Sequence, residues 1–150
     1  MTGMQNIRIG LELRTLNNMI RRRCDFSSHK KKIQTITGNN GWIIGFLAEN
    51  TGAGRSVYQK TIEEHFNITR AAASNALSLM EQKGLITRIA DTQDGRRKKI
   101  VLTKKAEQLK ELMKEDFDLF EATLTKGFSD EELRMLYGFF QKMKDNLQDK

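Results

Sequence analysis

Apolar side chains recur at helical spacing along most of the chain. The first stripe, Ile9, Leu13, Leu16, Ile20 and Cys24, falls on one face of a helix predicted to end near Phe26. The basic and polar stretch SSHKKKIQTITGNNG interrupts it. Within that stretch Gly38-Asn39-Asn40-Gly41 is a turn signal, and either Asn stands where it can cap the short helix WIIGFLAEN. TGAG then breaks the chain. SVYQKTIEEHFNI opens with Ser56 and Gln59 three apart, the spacing of a capping box that satisfies two free backbone donors, and predicts a helix to about Phe66. Asn67-Ile68 leaves room only for a tight turn before Thr69, an N-cap candidate for RAAASNALSLMEQK, which closes at Gly84. Two helices joined by so short a turn carry the helix-turn-helix signature.

The period changes after Gly84. LITRIA and KIVLT are short β-rich runs separated by DTQDGRRK, a hairpin pattern. Thr103 stands where it can cap the next helix, whose stripe is Ala106, Leu109, Met113, Phe117, Phe120 and Leu124, running to about Lys126 and ended by Gly127. Ser129 and Glu132 form a second capping box, and Leu133, Leu136, Tyr137, Phe140, Met143 and Leu147 make the face of a last helix. The chain contains no proline, so nothing in its composition forces a break in the long segments. The expected fold is mainly α with a small β-hairpin wing. Residues 1–36 form an N-terminal dimerisation helix and basic connector, 37–103 a winged helix-turn-helix lobe, and 104–150 the C-terminal dimerisation helices, in one compact domain overall.

Charge narrows the function. The formal net charge is +7, a balance that points to a polyanion. It is concentrated: residues 1–105 carry 19 Lys and Arg against 8 Asp and Glu, whereas residues 106–150 carry 7 against 11. With Cys24 as the one cysteine, neither an intramolecular disulfide nor a cysteine-built zinc site can form, which fits a reducing cytoplasm. The N-terminus lacks a basic segment followed by an apolar one, and no apolar run approaches the ~20 residues that cross a bilayer, so neither secretion nor membrane insertion is expected. No Ser-His-Asp set, phosphate-binding loop, dinucleotide fingerprint or metal motif is present. The expectation is a non-enzyme without cofactor or metal.

The helix from Arg70 to Lys83 has two unlike faces. Ala73, Ala76, Leu77 and Met80 form the side expected to be buried, while Arg70, Ala71, Ser74, Asn75 and Ser78 face outward. Small or hydrogen-bonding, and free of acids until Glu81, these outward residues let a helix backbone approach base edges in a major groove without repelling phosphates. The plain alternative is a solvated polar face, although such faces ordinarily carry Glu and Lys. At the hairpin tip Arg96, Arg97, Lys98 and Lys99 follow Asp94-Gly95. A solvated loop is the ordinary reading of such a run. Directly after a helix-turn-helix, however, it is sized to lie on a phosphate backbone with one Arg in the minor groove.

These residues together resemble the MarR family of winged helix-turn-helix transcriptional regulators. The resemblance covers nearly the whole chain in element order and is most specific from about Ser56 to Thr103. NITRAAASNALSLMEQKGLITR is similar to the family's recognition helix and its exit into the wing, including Ser74, Met80 and the Gly84-Leu85-Ile86 junction. In DGRRKKIVLT the wing pattern stands in register as Asp94, Arg96, Ile100, Leu102 and Thr103. The resemblance implies a triangular homodimer with interlocked terminal helices and two lobes on adjacent major grooves of double-stranded DNA, most often repressing transcription at a pseudo-palindromic site. It implies Arg96 as the minor-groove finger, Asp94 as the carboxylate that shapes the wing, and Arg70, Ala71, Ser74, Asn75 and Ser78 as recognition-helix contacts. The helix-opening hydroxyls Ser56 and Thr69, with Arg97 and Lys98, complete the candidate DNA-binding set. Many relatives carry a cation where this chain has Asn75, so base preference does not transfer. The long terminal stripes, short of partners in one thin chain, favour a dimer independently.

Other signals have plainer readings. Cys24 follows Arg21-Arg22-Arg23, cations that lower a thiol pKa, yet it continues the apolar stripe as a buried thiol would. His29 and His65 are far apart, with Glu63 and Glu64 near the latter, so a metal sensor would need ligands from distant segments. RRRCDFSSHKKK is either a nucleic-acid arm or a solvated helix end. The Met residues and late aromatics are core before they are an adaptable pocket, which leaves a small-molecule effector of unspecified identity open. Two other functions compete with sequence-specific regulation: a non-specific nucleic-acid-binding or RNA-binding module, and a helical protein whose basic lobe docks an acidic partner.

Overall fold

The computed structural model describes residues 6–24 and 40–148. Among the described residues there are six helices and one hairpin: α1 (Ile9–Cys24), α2 (Gly41–Gly52), α3 (Gln59–Phe66), α4 (Arg70–Gln82), β1 (Ile86–Ala90), β2 (Lys98–Leu102), α5 (Lys104–Leu124) and α6 (Asp130–Leu147). Phe26, Asn39, His29 and the rest of the basic connector lie outside the described residues. Contacts divide the chain into two units, Met1–Asp116 and Phe117–Lys150.

The first unit holds the core. Ile43, Ile44 and Leu47 of α2, Ile62 of α3, Leu77 and Met80 of α4, Ile86 and Ile100 of the hairpin, and Ala106 and Leu109 of α5 are buried in one cluster with Val57 and Leu85. Each large aliphatic side chain withdrawn from water in this way contributes about 1.5–3 kcal/mol. The sheet is a two-stranded antiparallel ribbon in which Ile86 faces Leu102, Arg88 faces Ile100 and Ala90 faces Lys98.

Caps decide where helices begin, and one of them differs from expectation. Ser56 and Gln59 do not form a capping box: α3 starts behind Tyr58, whose backbone N–H donates to Thr61 Oγ1 at 3.1 Å. The reason is tertiary. Val57 is buried and its carbonyl accepts from Ile100 N–H at 2.8 Å, so the residues before α3 run extended against β2 and cannot also turn into a helix. Asn40 does stand at the N-cap of α2, but without a side-chain cap bond. The remaining caps follow the sequence. Thr69 Oγ1 accepts from Ala72 N–H at 3.1 Å, Thr103 Oγ1 from Ala106 N–H at 3.3 Å, and Ser129 with Glu132 closes a reciprocal box. Gly84 ends the α4 region at φ +73°, a left-handed conformation that a side chain disfavours.

In the second unit, α6 has no buried residue, although its apolar stripe is as regular as any in the chain. Tyr137 is 66% exposed and Phe117, on α5, is 61% exposed. Within α5 itself, burial is confined to Ala106 and Leu109 near its start.

Candidate nucleic-acid interface

Only Asn67, Ile68 and Thr69 separate α3 from α4, because Asn67 takes up the left-handed conformation (φ 50°, ψ 52°). This conformation is open to Asn because its short polar side chain tolerates it. Ile68 N–H then bonds to the Glu63 carbonyl at 3.1 Å, and Thr69 caps α4 at once. The expected division of α4 is present: Ala73, Leu77 and Met80 are buried and Ala76 half-buried, while Arg70, Ala71, Asn75 and Ser78 are exposed and Ser74 is half-buried. Thr69 and Ser56 are exposed, Thr69 as the α4 cap and Ser56 on the extended segment before α3.

Glu81, the first acid on α4, lies 3.6 Å from Arg88 Nε, and the Arg88 side chain is only 23% exposed. That distance is too long for a hydrogen bond, and Arg88 Nε makes none to any of the described residues. The pair therefore acts through charge: it offsets the one carboxylate that would face an approaching polyanion from this helix.

The wing is shaped by two carboxylates. Asp94 Oδ1 accepts from Arg96 N–H at 3.0 Å and the Asp94 carbonyl accepts from Arg97 N–H at 3.0 Å, so Asp94 folds the tip, as its place before Gly95 suggests. Asp91, at the root, accepts from Gln93 N–H through Oδ1 at 3.0 Å and from the Tyr58 hydroxyl through Oδ2 at 2.7 Å. Its own N–H donates to the Arg97 carbonyl at 2.9 Å. The Gln93 and Tyr58 bonds, together with Arg97 and Lys99, hold the Asp91 pKa below its ordinary value despite some desolvation. The same Tyr58–Asp91 bond, with burial and the Asp91 charge, raises the Tyr58 pKa, against smaller opposing effects of Arg97 and Ser56. The Arg97 guanidinium carbon sits 3.8 Å above the centre of the Tyr58 ring, a cation–π contact.

Strand parity sorts the remaining cations. Lys98 pairs with Ala90 and Ile100 with Arg88, so these four share one face of the ribbon, whereas Lys99 and Ile89 share the other. The first face closes an open cleft of about 830 Å³ between α3, the start of α4 and the wing. Lys60, Arg70, Arg88, Arg96, Arg97 and Lys98 line it, against Glu63 and Glu64. Six cations against two carboxylates make a concave surface of one dominant sign, which concentrates field toward an anionic ligand.

The structure thus brings Arg70, Arg96, Arg97 and Lys98 together, from two segments that the sequence separates. Ser56, Thr69, Ala71, Ser74, Asn75, Ser78 and Asp94 do not line this cleft. The residues missed from sequence are Tyr58, Asp91, Arg88 and Lys60. Parity along β1 could have found Arg88, which lies two residues from buried Ile86; no local pattern points to Tyr58 and Asp91, which are 33 residues apart. His65 packs its ring against Phe46 and Phe66 at 4.6 and 4.7 Å between centres, and Trp42 packs on Phe66 at 4.3 Å. No group of three His, Cys, Asp or Glu able to hold a metal occurs among the described residues. None of the described helices is long and apolar enough to cross a membrane. Cys24 is the last residue of α1.

Comparison with known proteins agrees with this architecture. A family model described as the MarR family matches residues 34–97. The chain is 27% identical over 111 residues to the uncharacterised HTH-type transcriptional regulator YwaE of Bacillus subtilis (strain 168), a match spanning 74% of this chain and 65% of that protein. Among solved structures, MepR of S. aureus in complex with DNA is 30% identical, with 94% of this chain and 97% of that one covered at a TM-score of 0.79. The transcription regulator MarR of Oenococcus oeni PSU-1 is 29% identical, with 92% and 99% covered, also at 0.79.

Proposed function

This chain belongs to the MarR family of transcriptional regulators, and on that premise we propose that it binds a pseudo-palindromic DNA operator as a homodimer and represses transcription there. The observation that carries the reading is the cationic cleft between helix-turn-helix and wing, beside α4, whose one acid, Glu81, is already paired with Arg88. Arg96, at the tip, is the minor-groove residue. Arg70, Ala71, Ser74, Asn75 and Ser78 face the major groove, and Ser56, Thr69 and Lys98 meet phosphates. MepR, a relative solved in complex with DNA, supports the duplex as ligand.

The exposed apolar sides of α1, the later part of α5 and α6 support a second copy as the partner that covers them. A two-fold dimer would place its half-sites about one helical turn apart, ~10 base pairs centre to centre. The reading further holds that the protein acts in the cytoplasm, without catalysis, and that an effector would act by shifting the population of dimers whose lobe spacing fits DNA. Selection of bound duplexes from a random pool tests it: recovery of a two-fold motif is expected. Recovery of unrelated sequences at equal strength would favour non-specific binding, and no retained duplex at low salt would refute a DNA role.

A further inference from the structure

Arg97 occupies an unexpected place. It belongs to a run of four exposed cations, yet its guanidinium lies on the Tyr58 ring. The ring itself has little freedom. Tyr58 follows Val57, whose carbonyl is bonded to β2, and its backbone N–H and C=O are both engaged by the first turn of α3 at 3.1 and 3.3 Å. From that fixed base the phenol reaches Asp91, and Asp91 holds both arms of the wing loop: Gln93 through its carboxylate, Arg97 through its N–H. The bonds that Asp94 makes are internal to the tip. They shape the loop by joining Asp94 to Arg96 and Arg97, its own neighbours. The strands are already held by the core and by the Val57–Ile100 bond; the loop between them is joined to the start of α3 by one phenol–carboxylate bond of 2.7 Å and one stacked guanidinium.

We propose that Tyr58 is the wing-positioning residue of this protein: through Asp91 and Arg97 it latches the root of the β1–β2 loop to the start of α3, so that Arg96 is presented to DNA at a fixed height. Arg97 is then a positioning residue as well, committed to the latch and not to the groove. The inference deepens the DNA-binding reading and rests on it, but the latch itself is a property of the free protein. A loop held only by its own turn samples many orientations, and each one that misplaces Arg96 lowers the fraction of molecules competent to bind.

The test uses the full chain and the Tyr58→Phe variant, which keeps the ring and its stacking but removes the bond to Asp91. Hydrogen exchange of the free protein should be faster at the bonded wing amides of Asp91 and Gln93, by about two- to tenfold, the range for one net hydrogen bond. Exchange in α2 and α4 should be unchanged. Affinity for the selected duplex should fall by a similar factor, and that loss should vanish when Arg96→Ala is already present, because a misplaced finger matters only while the finger exists. Arg97→Ala should reproduce the faster wing exchange. Unchanged wing exchange in Tyr58→Phe would overturn the latch. An equal affinity loss with and without Arg96 would overturn the positioning role, showing that the phenol meets DNA directly. If the wild-type chain bound no duplex, the DNA-binding reading and its Arg96 consequence would fall together, while the exchange measurement would still decide the latch.

Discussion

The winged lobe and the terminal helices use the same sequence device to different ends. α4 and α6 both carry apolar residues at helical spacing, and both begin with a side-chain cap whose oxygen accepts a backbone N–H at 3.1 Å. In α4 the stripe disappears into a core: Ala73, Leu77 and Met80 have no exposed surface. In α6 nothing is buried, and in α1 Leu13 and Leu16 remain 38% and 40% exposed. The polar faces differ as well. That of α4 is small and nearly free of acid, whereas α6 opens with Asp130, Glu131 and Glu132. An apolar stripe states that something will cover a helix; whether the cover comes from the same chain or another depends on what lies opposite.

The contrast can be broken at several points. The largest effect is expected from Leu13→Asp with Leu16→Asp on α1. If a second copy covers this face, each buried unpaired carboxylate costs several kcal/mol, and sedimentation should show a 17.3 kDa monomer where the wild type shows a dimer. The lobe should stay folded. A monomeric wild type would remove the second copy from the account. Leu77→Ala strikes the other region: cavity formation in the core should lower unfolding free energy by about 2–5 kcal/mol in a denaturant titration, with a proportionate fall in DNA binding. A loss below about 1 kcal/mol would mean the lobe is loosely packed.

Substitutions on the DNA side should spare stability. Arg96→Ala is expected to weaken operator binding by about 1–3 kcal/mol at fixed salt, and binding at wild-type strength with an unchanged footprint would remove the wing from the interface. Ser74→Ala and Asn75→Ala should each cost about 1–3 kcal/mol and alter the selected sequence if those side chains read bases. An unaltered preference would assign specificity to DNA shape. The smallest effect is expected from pH. Asp91 has a folded pKa below its unfolded value of 3.8, so its contribution is complete above that value and is lost only as pH falls through the lower folded one. Acidification from neutral to about pH 5 should therefore leave wing exchange unchanged once the intrinsic rate is corrected for, and a rise would place the titrating group elsewhere.

Much of this was legible along the chain. The order of helices and hairpin, the tight turn at Asn67, the cap residues Thr69, Thr103 and Ser129, and the exposed and buried faces of α4 follow from local propensity and period. These act over a few residues and need no distant partner. The start of α3 was not legible. Ser56 and Gln59 have capping-box spacing, but Val57 gains more by burial and by bonding to β2 than a helix two residues longer would return. The cationic cleft was legible only as two separate halves, the recognition helix and the wing run.

By itself the sequence determined which segments are helical, where their caps stand, that charge gathers in the first two-thirds of the chain, and which cations follow the Asp-Gly turn. Tertiary structure alone decided how those cations divide. Strand register sent Lys98 into the cleft and Lys99 to the opposite face, burial of Arg88 set it against Glu81, and the fixed base of Tyr58 gave Arg97 a ring to stack on. The physical reason is that period and propensity act between near neighbours, whereas the partner of a charge depends on which distant segments the core brings within a few ångströms of it.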